Sequence, residues 1–158
     1  MSFKLVSGAH SLGEANIHFQ FTPKYRRDIF RDEGVKRACE ACLRRIAEDL
    51  GVVLHAVEFG PDHCHVFVGA CKNFSVAELA QRFKGASSRM IRQAMWDTVK
   101  EKLWGDAFWS TGYFYRSVGS TTSDAIAWYI EHAQRKHWQA LDHQTYTELK
   151  QKTLNHYM

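Results

Sequence analysis

The stretch Pro61-Asp62-His63-Cys64-His65-Val66-Phe67-Val68 determines how the rest of the chain is interpreted. A Pro-Asp turn followed by a Val-Phe-Val run predicts the start of a buried β-strand. Because successive side chains of a strand alternate between its faces, His63 and His65 project from the same side, roughly 6.5 Å apart. Two imidazoles so placed can share one metal ion, and Cys64 points to the opposite face. The alternative is that one histidine caps the turn and the other lies at the surface.

The length and composition are those of an ordinary globular protein. The 158 residues contain 45% hydrophobic and 24% charged residues, which predicts a single domain spanning 1–158, with its core at about 16–138 and a tail at 139–158. No apolar run reaches the roughly 20 residues needed to cross a bilayer. We therefore expect a cytoplasmic protein without a membrane partner. The net charge of +4 is compatible with a polyanionic partner.

The four cysteines do not suggest a disulfide framework or a four-thiolate zinc site. Cys39 and Cys42 form a CxxC pair inside a helical pattern, and no second CxxC follows. We expect all four to be reduced, with this pair serving as small core residues.

The order of patterns along the chain predicts the fold. Alternation over 16–22 predicts a half-buried strand, and a 3.6-residue apolar period predicts a helix that Gly51 ends. Strands are expected at 52–59, from His63 onward and at 114–118, with a capping box at Ser75 and Glu78 opening a second helix. A third helix follows at about 125–138. The prediction is an α+β, ferredoxin-like βαββαβ fold, in which a four-stranded antiparallel sheet carries helices on one face and the first and third strands are central.

Two segments could contact nucleic acid. The outward face of the second helix is expected to carry four basic residues and two hydroxyls, which suits phosphates but equally a plain solvated surface: Arg82, Lys84, Arg89, Arg92, Ser87 and Ser88. The aromatic segment 103–113 is expected to cover one end of the core rather than to stack bases.

Tyr129 lies on the late helix, where two interpretations are open. It shares a helix face with Ile126, Ile130 and Ala133, which is the usual pattern of core packing. A tyrosine hydroxyl can also act as a covalent nucleophile towards a phosphodiester that a metal polarises.

The histidine and tyrosine motifs together resemble a known family. Residues 62–68 resemble the HUH motif (His, hydrophobic, His), and Trp128-Tyr129-Ile130-Glu131-His132 resembles the nucleophile helix of small single-tyrosine transposases that move insertion sequences as single-stranded DNA. Further matches are Phe21-Thr22-Pro23-Lys24-Tyr25-Arg26-Arg27, Phe83-Lys84-Gly85-Ala86-Ser87-Ser88 and the Trp104-Gly105 to Phe108-Trp109 segment. The similarity covers about 16–138.

The resemblance implies a DNA transposase. His63 and His65 would hold Mg²⁺ or Mn²⁺, and Tyr129 on a C-terminal nucleophile helix would attack the scissile phosphate, giving a 5′-phosphotyrosine bond and a free 3′-hydroxyl. The enzyme would be a homodimer, in which the tyrosine helix of one subunit can complete the metal site of the other. It would recognise single-stranded DNA with hairpins at the transposon ends through a basic surface such as Lys24, Arg26, Arg27, Lys84 and Arg89.

One position departs from the family pattern. The family usually supplies a glutamine as third ligand four residues after the tyrosine, and Ala133 stands there. Gln134 lies about 140° around the helix from Tyr129, whereas His132 lies about 60° away. Either a π-bulge brings Gln134 into place, or His132 is the ligand, or the enzyme is weakened or inactive.

Other functions stay open. The departure at position 133 favours a domesticated or inactive protein that binds hairpin DNA, and a replication-initiator-type nickase would use the same chemistry to a different end. A ferredoxin-like nucleic-acid-binding module with an incidental histidine pair is a further alternative.

Overall fold

A four-stranded antiparallel sheet organises the computed structural model, which describes residues 5–103, 105, 107–119 and 132. The strands are β3 (Asn16–Phe21), β4 (Val53–Gly60), β5 (His63–Gly69) and β6 (Phe114–Val118), in the order β4-β5-β3-β6. Two short strands, β1 (Val6–Ser7) and β2 (Leu12–Gly13), form a separate ladder. The helices are α1 (Glu33–Leu50) and α2 (Val76–Leu103). The predicted βαββαβ sheet is confirmed; the expected C-terminal nucleophile helix falls outside the described residues, apart from His132.

The central strands are β3 and β5, as predicted. Their register pairs Gln20 with His65 and His18 with Phe67. The prediction that β3 is half-buried is wrong, because all six of its residues are buried. The face that the alternation pattern marked as polar, with His18 and Gln20, is therefore as little exposed as the face that packs on the helices.

Both helices pack on one face of the sheet. The core joins Phe19 of β3 and Val66 of β5 to Leu43 of α1 and to Leu79 and Phe83 of α2. Helix α1 begins after an Asp32 cap, whose carboxylate accepts a hydrogen bond from Val35 N, and ends at Gly51, where φ is 73°. The alternate side chains of β3 and β5, including the histidines, therefore face away from the helices.

Helix α2 begins with the predicted capping box, in which Ser75 and Glu78 bond each other's backbone N–H groups. The backbone departs from helical geometry at Met95. The prediction that Ser87 faces outward is wrong, since it is fully buried and its hydroxyl accepts a hydrogen bond of 2.9 Å from Trp109 Nε1. Phe108 and Trp109 pack against Phe30, which confirms that this part of the aromatic segment covers the core.

All four cysteines are buried free thiols, as predicted. In the part of the chain that the structure describes, no helix combines the length and the apolar character needed to span a bilayer.

Candidate metal centre and basic turn

The His63 and His65 rings lie together on the face of β5 that points away from the helices, as the alternation predicted. Their centroids are 5.1 Å apart and their planes are nearly perpendicular, at 87°. Each residue is only 1% exposed. The two-residue Pro61-Asp62 turn begins the strand directly before His63, because Gly60 and His63 are paired across the hairpin.

Asp62 orients the His63 ring. One carboxylate oxygen of Asp62, Oδ1, lies 3.0 Å from His63 Nδ1. An ionised carboxylate only accepts hydrogen bonds, so the proton of neutral His63 is on Nδ1 and Nε2 keeps its lone pair. A carboxylate behind a histidine is a frequent arrangement in metal sites. The sequence contains this signal, an aspartate next to the first histidine, but the Pro61-Asp62 pattern by itself predicts only a turn.

A third histidine contacts the pair. His18 Nε2 on β3 lies 2.9 Å from His65 Nδ1, and the two rings are stacked with centroids 5.1 Å apart. Burial, and secondarily the positive charge of Arg116, lower the pKa of His18 from 6.5 to about 4. His18 is therefore neutral near pH 7, with one ring nitrogen protonated and the other an acceptor. The sequence analysis does not identify His18 as part of the site: the alternation over 16–22 predicts only that it lies on the polar face of the first strand.

The donor set fits a divalent metal ion whose coordination is completed from elsewhere. In each ring the nitrogen that contacts Asp62 or His18 is Nδ1, which makes Nε2 the candidate ligand atom. Within the described ranges, no group of three histidine, cysteine, aspartate or glutamate side chains could hold a metal, so exposed His132 does not join the pair there. Tyr129 and Gln134 fall outside the described residues.

A basic turn adjoins this centre. Lys24 and Arg26 lie in a short 3₁₀ segment after β3, and Tyr25 and Arg26 adopt left-handed backbone angles, with φ of 58° and 52°. Arg26 Nε is 3.6 Å from Asp62 Oδ2, so one carboxylate contacts both the turn and His63. A pocket of about 250 Å³ lies at this turn. Its lining residues are Tyr25, Arg26, Arg27, Asp28, Arg31, Pro61 and Asp62.

The two predicted basic residues of α2 have different surroundings. Lys84 Nζ donates to the carbonyl oxygens of Ser110, Thr111 and Gly112 at 2.7, 2.9 and 3.1 Å, and burial lowers the pKa of this ammonium group. Its three donors thus hold the loop before β6. Arg89 is exposed and lines a second pocket of about 250 Å³ with Arg92, Gln93 and Trp96.

Comparison with known proteins agrees with this arrangement. The family described as "Transposase IS200 like" matches residues 11–133. The IS200 transposase of Salmonella typhimurium is 34% identical over 124 residues, which cover 78% of this chain and 80% of the relative. The ISDra2 transposase TnpA of Deinococcus radiodurans is 29% identical over 131 residues, or 83% and 92% of the two chains.

Solved structures share the fold. A candidate transposase from Deinococcus radiodurans superposes with a TM-score of 0.66 at 30% identity, over 80% of this chain and 95% of that one. A REP-associated tyrosine transposase bound to a REP hairpin gives a TM-score of 0.55 over 78% and 68% of the chains; at 11% identity, this likeness concerns the fold alone.

The sheet, its histidine pair and these relatives define the protein as a transposase. Within that class, the chain belongs to the IS200-like family.

Proposed function

We propose that this transposase cuts and rejoins single-stranded DNA at the hairpin-bearing ends of its element, with Tyr129 as nucleophile and His63 and His65 as metal ligands. The observation that carries the proposal is the buried histidine pair, in which a partner engages Nδ1 of each ring. Incidental surface histidines have no reason to be held in this way.

The protein's own residues prepare the site. Asp62 fixes the proton of His63 on Nδ1, and the central strand β5 keeps both rings on one face. A bound Mg²⁺ or Mn²⁺ would polarise the scissile phosphate and lower the barrier to attack. Two imidazoles suit Mn²⁺ better than Mg²⁺, which prefers oxygen ligands. Gln134 and His132 are the candidates for a further ligand, from the same subunit or from the partner in a homodimer.

The covalent step exchanges one phosphodiester bond for another. The phenolic oxygen of Tyr129 forms a bond to phosphorus and loses its proton, while the bond from phosphorus to the 3′-oxygen breaks. The leaving 3′-oxygen takes up a proton, and the downstream strand stays attached through a 5′-phosphotyrosine. Attack by a different 3′-hydroxyl reverses the step and joins new ends, so no external energy source is needed.

Basic residues supply the DNA contacts. Arg26 and Arg27 lie in the turn beside Asp62, which brings phosphate-binding groups close to the metal centre. On α2, Arg89 lines a pocket together with Trp96, which is 41% exposed and can stack on an unpaired base. Lys24 extends the proposed surface, and Lys84, whose three ammonium donors bind the carbonyls of residues 110–112, adds its positive charge to it. A REP hairpin is bound by the fold relative described above, which supports hairpin DNA as the ligand class.

Formation of a covalent adduct tests the proposal. The protein is incubated with Mn²⁺ and a labelled single-stranded oligonucleotide carrying a terminal hairpin of its element, and then denatured. We expect a denaturation-resistant protein–DNA adduct that EDTA prevents and Tyr129→Phe abolishes. Tyr115→Phe is the matched control, because Tyr115 is an exposed tyrosine on β6. An adduct that persists in Tyr129→Phe contradicts the assignment of the nucleophile.

The second candidate, a hairpin-binding protein without cleavage, is favoured by one feature, Ala133 at the usual glutamine position. It predicts a complex that shifts the DNA in a native gel but dissolves completely in denaturant, in the wild type as in Tyr129→Phe. A replication-initiator-type nickase would form the adduct and release one nicked strand without joining two element ends.

A further inference from the structure

His18 is not one of the two proposed metal ligands, but its ring contacts one of them, His65. The two residues are 47 positions apart in sequence and are brought together by the pairing of β3 with β5. His18 is 1% exposed, and its ring is stacked on that of His65 with an interplanar angle of 22°. A buried imidazole with this geometry is fixed in place by the sheet.

The contact limits how His65 can bind a metal. Its Nδ1 lies 2.9 Å from His18 Nε2, so the other ring nitrogen, Nε2, is the one with which it can bind. A metal-binding nitrogen must carry a lone pair rather than a proton. In neutral His65 the proton is then on Nδ1, and His18 Nε2 must accept it, with the proton of His18 on its own Nδ1.

We infer that His18 is a positioning residue, which accepts the Nδ1–H of His65 and so holds His65 in the tautomer that presents Nε2 to the metal. The inference rests on the metal role proposed above for His63 and His65. His18 thus does for His65 what Asp62 does for His63. The histidine face of the sheet contains two ligands and, behind each of them, one acceptor.

The same contact argues against His18 as a third metal ligand. Its Nε2 is committed to His65, and a metal bound by this nitrogen would have to break the hydrogen bond between the rings. His18 is among the described residues, and within them no group of three histidine, cysteine, aspartate or glutamate side chains could hold a metal ion.

The first test reads the tautomer without any metal. Nitrogen chemical shifts of histidine rings distinguish a protonated from an unprotonated nitrogen, and the His65 signals are assigned by their loss in His65→Asn. In the metal-free wild type we expect His65 to be protonated on Nδ1. In His18→Phe, which keeps a ring but removes the acceptor, we expect a shift of the proton towards Nε2.

A conservative variant provides the rescue. The side-chain amide of His18→Gln can place an acceptor oxygen near the position of Nε2, so it should retain the wild-type tautomer of His65. Calorimetric titration with Mn²⁺ is the second readout. We expect His18→Phe to bind about 10–100-fold more weakly than the wild type, with His18→Gln recovering most of the affinity.

The outcomes separate this inference from the proposed function. A proton on Nε2 of His65 in the metal-free wild type overturns the positioning role, as does an unchanged tautomer in folded His18→Phe. If His18→Phe does not fold, the wild-type tautomer and His18→Gln still decide the question. If the wild type binds no Mn²⁺, or its binding survives His63→Ala and His65→Ala, the metal role itself fails, whatever the tautomer.

Discussion

Gly60 has no Cβ atom, and the His63 ring occupies the space that such an atom would take. Gly60 is the strand partner of His63 across the hairpin. A Cβ atom at position 60 would lie 2.8 Å from His63 Nδ1 and 2.9 Å from Nε2, closer than real contacts allow. The identity of this residue is therefore part of the site, although it contributes no functional group.

Gly60→Ala should displace the His63 ring. We expect a loss of about 1–3 kcal/mol in the free energy of unfolding, from overpacking, and weaker Mn²⁺ binding by calorimetry. Gly85→Ala is the control, because a Cβ atom at position 85 meets nothing within 4 Å. Since alanine is a better helix former than glycine, this variant should gain about 1 kcal/mol in the free energy of unfolding. Wild-type Mn²⁺ affinity in Gly60→Ala would show that His63 does not need this space.

For single residues, the sequence predicts what depends only on neighbouring positions in the chain. The common face of His63 and His65 follows from strand alternation over three residues. The role of Asp62 and the contact of His18 depend on side-chain rotamers and on the register between β3 and β5, which are set by packing across the sheet. The composition of one strand carries no information on that register.

The turn after β3 is the element with unusual backbone geometry. Tyr25 and Arg26 both have positive φ, a conformation that costs a residue with a side chain roughly 1–2 kcal/mol. Such strain is retained where a particular shape is needed. Here the shape brings Arg26 to Asp62.

A comparison of Arg26→Gly with Arg26→Ala separates the backbone conformation of the turn from the charge of the Arg26 side chain. Both remove the guanidinium group, so we expect both to weaken binding of a hairpin oligonucleotide to the same extent in fluorescence anisotropy, with a shallower salt dependence. Glycine tolerates the left-handed backbone, so its variant should be more stable than the alanine variant by roughly 0.5–1 kcal/mol in urea unfolding, after the larger entropy of the unfolded glycine chain is subtracted. An alanine variant as stable as the glycine variant would mean that the turn relaxes.

Lys84 holds the loop before β6 to α2. Lys84→Met keeps much of the aliphatic length but loses three hydrogen bonds to the carbonyls of residues 110–112, so we expect a loss of about 1–2 kcal/mol in stability. Arg82→Met, at an exposed position of the same helix, should change stability by no more than about 0.5 kcal/mol. Equal effects of the two substitutions in urea unfolding would contradict the structural role of Lys84.

The whole molecule keeps its four thiols out of reach. Burial raises the pKa of Cys39 and Cys64 strongly, that of Cys71 to about 12, and that of Cys42 as well. Since the thiolate is the reactive form, we expect iodoacetamide at pH 8 to label the native protein slowly and all four cysteines rapidly in denaturant, as measured by mass spectrometry. Labelling of native Cys64 at the rate of a free thiol would contradict its burial.

The same shifts set a pH dependence of stability. Unfolded thiols lose their protons near the ordinary value of 9.0, whereas the folded ones keep them to higher pH. The unfolded state therefore binds fewer protons above this value, and stability should fall as the pH rises past about 9. Cys64→Ala should reduce the slope of that decline in urea unfolding series. An unchanged slope would assign the decline to other groups.

The overall topology could be predicted from the sequence because periods, caps and turns all indicated the same plan. Ser87 shows where this reasoning ends. It lies four residues after buried Phe83 in the apolar stripe of α2, and its hydroxyl donates to the Phe83 carbonyl within its own helix. Because a serine can satisfy its hydroxyl in this way, its polarity did not decide whether it was exposed.

Asp62 links the candidate metal centre to the basic turn through a single carboxylate. Its two oxygens contact different residues, His63 on one side and Arg26 on the other. A substitution at position 62 therefore disturbs the proposed metal ligand His63 and the proposed DNA contact Arg26 at once, and no single-mutant phenotype there has a unique cause. Only a double-mutant cycle with Arg26 can apportion the loss.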